Sequence, residues 1–267
     1  TDFSEMFSNA STFDQDISNW DVSSGNDFSE MFSNASTFDQ DISSWDVSSG
    51  DDISEMFDEA DLMQSNQGVS ATPSIAYFNP FTNKSTLQTA IDAWIDNQDS
   101  ATTTYGDINT WDVSAITDFS SLFQDKTKFN SDISNWDVSS GTDFSQMFQH
   151  ARSFNSDISN WDVSSGTHFS FMFNYTISFD QDISSWDVSS GTDFSHMFRE
   201  VFTSNSQFNS DISNWDVSSG NDFSNMFYYS TSFNQDISSW DVSSGTDFSE
   251  MFSNASTFDQ DISNWDV

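Results

Sequence analysis

The residues of this chain that could do chemistry are carboxylates, and they recur at a fixed interval. Asp16, Asp41, Asp132, Asp157, Asp182, Asp211, Asp236 and Asp261, with Asp107, hold one position of a repeat, and Asp21 and its equivalents hold another. Stacked repeat on repeat, these oxygens form columns of hard donors of the kind calcium takes. At the ~4.8 Å spacing of neighbouring backbones, adjacent carboxylates repel by roughly 1 kcal/mol in water, and by more where water is excluded. Calcium bridging, screening in a saline medium, or hydrogen bonds from turn N–H groups to the Asp16-type side chains would each offset this. A neighbouring column bears on the choice, being Asp at 14, 39, 180 and 259 but Asn at 130, 155, 209 and 234. A side-chain oxygen that caps backbone tolerates that exchange, whereas a charge-demanding ligand does not. Turn hydrogen bonding is therefore the structural expectation, and calcium is the only cofactor the sequence leaves open.

Nucleophilic or acid–base catalysis finds no constellation. His150, His168 and His196 stand at different places in their repeats, cysteine is absent, and every Ser and Asp belongs to a repeated pattern. The chain does not read as an enzyme. Sequons at Asn9, Asn34, Asn83, Asn174 and Asn254 offer N-glycosylation sites, three of them at one repeat position as duplication alone would give.

The elements that carry these residues come from one sentence, TDFSEMFSNASTFDQDISNWDVSSG, repeated about every 25 residues. Its tryptophan returns as W-D-V at Trp20, Trp45, Trp111, Trp136, Trp161, Trp186, Trp215, Trp240 and Trp265, the signature of a repeat architecture. Phe3, Met6, Phe7 and Ala10 are spaced for one face of a short helical or 3-10 segment, and Ile17, Trp20 and Val22 for a short strand. The expected fold is an α/β solenoid of leucine-rich-repeat-like coils of about 25 residues, each a short strand plus a short helical or 3-10 segment. No coil can bury its apolar row alone, so stacking must build continuous ladders of Phe, Met, Ile, Trp and Val.

The pattern M-F-x-x-A-x-x-F-[DN]-x-D-I-S-x-W-D-V-S-S resembles BspA-type leucine-rich-repeat surface proteins over the whole chain apart from residues 63–80. The resemblance implies a solenoid displayed outside the cell or on its surface and used for adhesion. One departure is consistent. Where that family has Val before T-[DN]-M, this chain has Gly25, Gly50, Gly141, Gly166, Gly191, Gly220 and Gly245, and only Ile116 keeps a branched residue. Glycine there marks a positive φ or a close approach between coils.

Composition narrows the partners. With 43 acidic against 5 basic residues the formal charge is −38, which excludes nucleic acid and anionic membrane surfaces, and no span suited to membrane insertion is visible. Hydrophobic content is only 35%, but 29 Phe and 10 Trp concentrate it into large side chains, so the core must be aromatic. In chain order, residues 1–62 read as the end of a repeat solenoid and 63–80, with Pro73 and Pro80, as a linker. Residues 81–106 read as a helical N-terminal cap and 107–267 as a second solenoid. Leu87, Ala90, Ile91 and Trp94 place an amphipathic helix at about 84–97, with Ser85 and Gln88 as a capping box and Asn97 as its stop. Phe198 to Phe208 spans four residues more than Phe7 to Phe13, a widened loop that adds Phe202.

Residues 1–22 and 246–267 are identical, which fits a longer polymer of 245-residue units opened at an arbitrary point, or else local homogenisation of repeats. The functional expectation is a structural extracellular protein assembling with itself head to tail into a filament or fibre. The alternative is a cell-surface adhesin that binds a host protein or glycan through the solenoid face.

Overall fold

The computed structural model describes the chain except residues 44, 48–49, 51, 74–76, 79–80 and 202–207, so Phe202 lies outside the described residues. Three α-helices, α1 (Asp61–Asn66), α2 (Lys84–Asp96) and α3 (Gln98–Tyr105), are followed by a 3-10 turn at Ile108–Thr110. The repeats themselves are built of turns.

That overturns the α/β solenoid. Among the described residues there is no strand and no sheet, only single parallel bridges such as Asp118↔Asp143 and Asp143↔His168, one per step between coils. The reason lies in an Asp-apolar-Ser triplet used three times per repeat: Asp2-Phe3-Ser4, Asp16-Ile17-Ser18 and Asp21-Val22-Ser23. In each, the carboxylate accepts from the serine N–H two residues on, at 2.9, 3.0 and 3.2 Å, which folds the backbone into a turn with its apolar residue inward. Trp20 N–H then donates to the Ile17 carbonyl (3.0 Å) and Gly25 N–H to Val22 (2.7 Å), so I-S-x-W-D-V is closed every few residues and no extended run survives to form a ladder.

The expected helical half is also turns. Met6, Ser8 and Ala10 donate back three residues, to Phe3, Glu5 and Phe7, while the alternate residues Phe3, Glu5, Phe7 and Asn9 donate across to Asp27, Ser29, Met31 and Ser33 of the next coil at 2.7–2.9 Å. Alternation of this kind needs a backbone that reverses locally. Accordingly two positions of every coil, those of Glu5 and Asn9, sit in the left-handed region with φ between 52° and 61°.

Stacking then builds the core. Phe119, Phe144, Phe169 and Phe194 lie ring on ring at 5.4–5.6 Å, and Phe123, Phe148, Phe173 and Phe198 form a second ladder at 5.4–5.8 Å. Inside the stacks the Trp column is buried too, and the indole N–H of a stacked Trp donates to the coil before it, as Trp136 does to the Ile108 carbonyl (2.7 Å) and Trp161 to Ile133 (3.1 Å). Trp215 makes the same bond to Ile183 (3.1 Å), so the column continues past the longer loop. Close approach, and not a positive φ, explains the glycines. A Cβ on Gly166 would lie 2.5 Å from Phe169 Cζ and 2.9 Å from the Val163 carbonyl oxygen. The phenylalanine ring fills the volume that a branched residue would have taken.

The chain divides into two compact units, residues 1–82 with 96–107, and residues 83–95 with 108–267. In the first, α1 occupies the start of the segment expected to be a linker, and the chain beyond α1 acts as a further coil. Glu55 N–H donates to Thr72 Oγ1 (2.8 Å) and Phe57 N–H to the Ala71 carbonyl (2.8 Å), while Met63 and Phe78 are fully buried. Helix α3 belongs to this unit, with Asn97 as its N-cap accepting from Ser100 N–H (3.1 Å). In the second unit the expected amphipathic helix is α2, buried through Leu87, Ala90, Ile91 and Trp94. Its first turn is capped by Asn83, which accepts from Thr86 N–H at 3.1 Å, rather than by a Ser85–Gln88 box. Gln88 instead donates to the Leu122 carbonyl (3.2 Å), and Trp94 Nε1 to Ser131 Oγ (2.9 Å).

Trp136→Ala removes a ring that is only 3% exposed and takes from the Ile108 carbonyl the shorter of its two hydrogen bonds, leaving the one from Trp111 N–H. It is expected to destabilise the second unit by about 3–5 kcal/mol in chemical denaturation, and a loss below about 1 kcal/mol would contradict a buried Trp column.

Candidate functional site

The acidic columns are turn caps. Asp16, Asp41, Asp132, Asp157, Asp182, Asp211, Asp236 and Asp261 each accept from the backbone N–H of the serine two residues later at 2.9–3.0 Å. Serine hydroxyls add a second bond, as Ser18 Oγ does to Asp16 at 2.7 Å. These bonds, the serine hydroxyl's first and its N–H second, hold the carboxyls of Asp16, Asp182, Asp211, Asp236 and Asp261 below the ordinary 3.8. Among the described residues no three His, Asp or Glu side chains gather as a metal ion requires. The calcium candidates therefore stand as separate caps along the stack, each engaged by its own turn.

The neighbouring Asp/Asn column ties coil to coil. Asp14 Oδ1 accepts from Asp39 N–H (3.1 Å), Asn130 from Asn155 (2.7 Å), Asn155 from Asp180 (2.8 Å) and Asn234 from Asp259 (2.8 Å). Amide and carboxylate oxygens serve alike, which is why the column exchanges freely between the two.

The sequons divide by burial. Asn9, Asn83 and Asn254 are exposed and Asn34 is half-buried. Asn9 and Asn34 line a polar hollow of about 560 Å³ with Ser11, Ser36, Glu59 and Asp61. Asn174 is 3% exposed and its Thr176 is fully buried with its hydroxyl on the Phe148 carbonyl, so neither an enzyme nor a sugar has access to that sequon in the folded chain. The histidines stay apart in role: His150 Nδ1 lies 2.8 Å from Asp125 Oδ1, His168 Nδ1 lies 2.8 Å from Thr167 Oγ1, and His196 stacks on Phe171 at 4.1 Å.

Sequence reasoning about side chains missed the polarity of the coil edges. Each coil offers a row of N–H donors to the next coil and a row of carbonyls to the one before. Of the four rows at the boundaries of the two stacks, two are occupied. Thr72 and Ala71 take the donors of Glu55 and Phe57, and Gln88 supplies a donor to the Leu122 carbonyl. At the other two, among the described residues, the Asp2, Ser4, Met6 and Ser8 carbonyls accept no backbone bond, and the Phe248, Glu250, Phe252 and Asn254 N–H groups donate none. Beside those carbonyls Met6 is 51% and Trp20 38% exposed. Beside those N–H groups lies an apolar hollow of about 380 Å³ lined by Phe248, Met251, Phe252, Ile262, Trp265 and Val267.

Coils joined by in-register backbone bonds and aromatic ladders define a tandem-repeat protein whose candidate sites are its surfaces. Residues 1–94, 96–201 and 198–267 match the family described as Mycoplasma protein of unknown function, DUF285, and the chain belongs to that family. No curated protein and no solved structure matches it.

Carboxyls held low by hydrogen bonds contribute stability that is fully present above the unfolded value near 3.8 and lost as pH falls through the lower folded values. The melting temperature is expected to hold from neutral pH down to about 3.8 and to drop below it. A melting temperature that climbs as the pH falls through 3.8 would mean that repulsion along the columns outweighs the caps.

Proposed function

We propose that the protein is a structural, extracellular or cell-surface component that assembles head to tail with further copies of itself. One observation carries this reading: every coil donates a row of N–H groups to one neighbour and accepts through a row of carbonyls from the other, so a further set of repeats from another copy can continue the stack in the same register. Such edges are templates for a further chain. Inside the protein the same two rows meet between every pair of coils, as Phe223, Asn225, Phe227 and Tyr229 do with Asp247, Ser249, Met251 and Ser253 at 2.8–2.9 Å. A joint between copies repeats that geometry and places Met6, Phe7 and Trp20 over the hollow at Phe252 and Trp265. Because the two edges differ, the contact is heterologous and propagates without self-limiting dimerisation.

The surface location rests on the resemblance to BspA-type repeat proteins. An adhesive use of the same filament is compatible with it.

Met6→Glu tests the joint. Met6 is half-exposed, while its equivalents Met31, Met56 and Met147 are fully buried, so a carboxylate at this position is solvated in the single chain and buried only on assembly. Sedimentation and electron microscopy should show wild-type particles that lengthen with concentration, and Met6→Glu particles that stay single with an unchanged melting temperature. Wild-type chains that remain single at every concentration, or a variant that assembles equally well, would contradict the reading.

A further inference from the structure

The repeats serve as each other's controls, since their core letters scarcely change and departures stand out. Aromatic and basic departures gather at the positions of Glu5, Ser8 and Asn9, and there only in the second unit. Phe171 and His196 take the place of Glu5, Tyr175 and Tyr229 that of Asn9, and Arg199 and Tyr228 that of Ser8. The core behind them is the same Phe and Met ladder in every case, so the fold does not require this change.

The fold in fact resists it. These positions are left-handed in every coil, and Phe171, Tyr175 and Tyr229 take them at φ between 54° and 59°, a conformation that Asn adopts more readily than an aromatic residue. Asn occupies the same positions at Asn9, Asn34, Asn225 and Asn254. Polar satisfaction fails in the same patch. Of the four buried side-chain atoms without a hydrogen-bond partner among the described residues, three are Asn174 Nδ2, His196 Nδ1 and Arg199 Nε. Unmet polar groups gathered beneath one aromatic surface are a feature that persists when function selects it.

The patch has an ordered geometry. Phe171 and His196 stack at 4.1 Å, the Arg199 guanidinium lies 4.8 Å from the Tyr228 ring centre, and Tyr228 and Tyr229 are 4.8 Å apart. Beside this aromatic shelf runs a row of planar amides, with Gln124 donating to Gln149 (2.6 Å) and Gln149 to Asn174 (3.2 Å).

Size and polarity select the occupant. Three coils at ~4.8 Å by five residues at ~3.3 Å give roughly 240 Å², against about 800 Å² contributed by each partner in a stable protein complex. Tyr229 is 39% exposed and carries its hydroxyl beside the rings, so the ligand must pair C–H faces with hydrogen-bonding oxygens. A formal charge of −38 disfavours an anion. An uncharged, oxygen-rich molecule with flat C–H faces for the rings meets all three conditions. We propose that the shelf formed by Phe171, Tyr175, His196, Arg199, Tyr228 and Tyr229 is a binding site for a neutral oligosaccharide. This site lies on the flank of the repeats and is independent of end-to-end assembly.

The test uses the 267-residue chain and short neutral oligosaccharides of hexoses and N-acetylhexosamines, each free and coupled to a carrier protein. At least one sugar is expected to bind saturably. Phe171→Asn and Tyr229→Asn, which install a residue the chain already uses at those positions, should each weaken it by roughly tenfold, the worth of one lost aromatic contact. Their melting temperatures should be unchanged or higher, and Glu30→Gln, at the Phe171 position in the first unit, should leave binding intact. Absence of binding to every sugar, undiminished binding by both Asn variants, or equal retention of the bare carrier would overturn the assignment.

Discussion

The structure depends on one hydrogen-bonding device, the backbone N–H of alternate residues in D-F-S-x-M-F-x-x donating to the next coil while the residues between donate back within their own. Phe144, Gln146, Phe148 and His150 reach His168, Ser170, Met172 and Asn174, and Met147, Gln149 and Ala151 close their own turns. Satisfying both sets requires left-handed backbone at two positions of every coil, which non-glycine residues adopt at a cost of about 1–2 kcal/mol each. The cross-coil bonds and the ladders they bring into register must exceed that cost in every repeat. A coil that donates on one side and accepts on the other also gives the stack a direction, and that direction accounts for the internal closures by 71–72 and α2.

Stacking imposes two further constraints. Rings in register leave no room beneath them, so the Gly166 position cannot carry a Cβ while Phe169 occupies its volume. Carboxylates in register repel, and the Asp-apolar-Ser triplet meets this by giving each its own N–H and hydroxyl, as Ser139 does for Asp137 at 3.1 and 2.6 Å. The same triplet that settles the electrostatics breaks the backbone into turns. A chain this acidic is thereby able to stack its carboxylates, and for the same reason it forms no strands among the described residues.

What was legible in the sequence was whatever depended on side-chain spacing. The Trp, Phe and Ile ladders and the helix carrying Leu87, Ala90, Ile91 and Trp94 come from the period and from apolar rhythm. The W-D-V strand was misread because Trp20 and Val22 alternate as a strand would, whereas Asp16 and Asp21 divert the backbone into turns. Helix α1 lay hidden in a stretch chosen for its prolines, and α3, with Ala101 its only buried residue, has little apolar periodicity to announce it. The aromatic shelf could have been found by aligning the repeats and asking which columns vary. The direction of the coil edges could not, because it resides in backbone N–H and C=O groups that every residue carries.

Amide hydrogen exchange, resolved by residue in the dilute chain, measures the central claim directly. In the last pair of coils, Phe223, Asn225, Phe227 and Tyr229 donate across, whereas Phe248, Glu250, Phe252 and Asn254 occupy the same positions without an acceptor. The account predicts strong protection of the first four amides and fast exchange of the second four, with protection of the second four appearing as the concentration is raised. Equal protection of both sets at every concentration would mean that the stack is not held by cross-coil bonds.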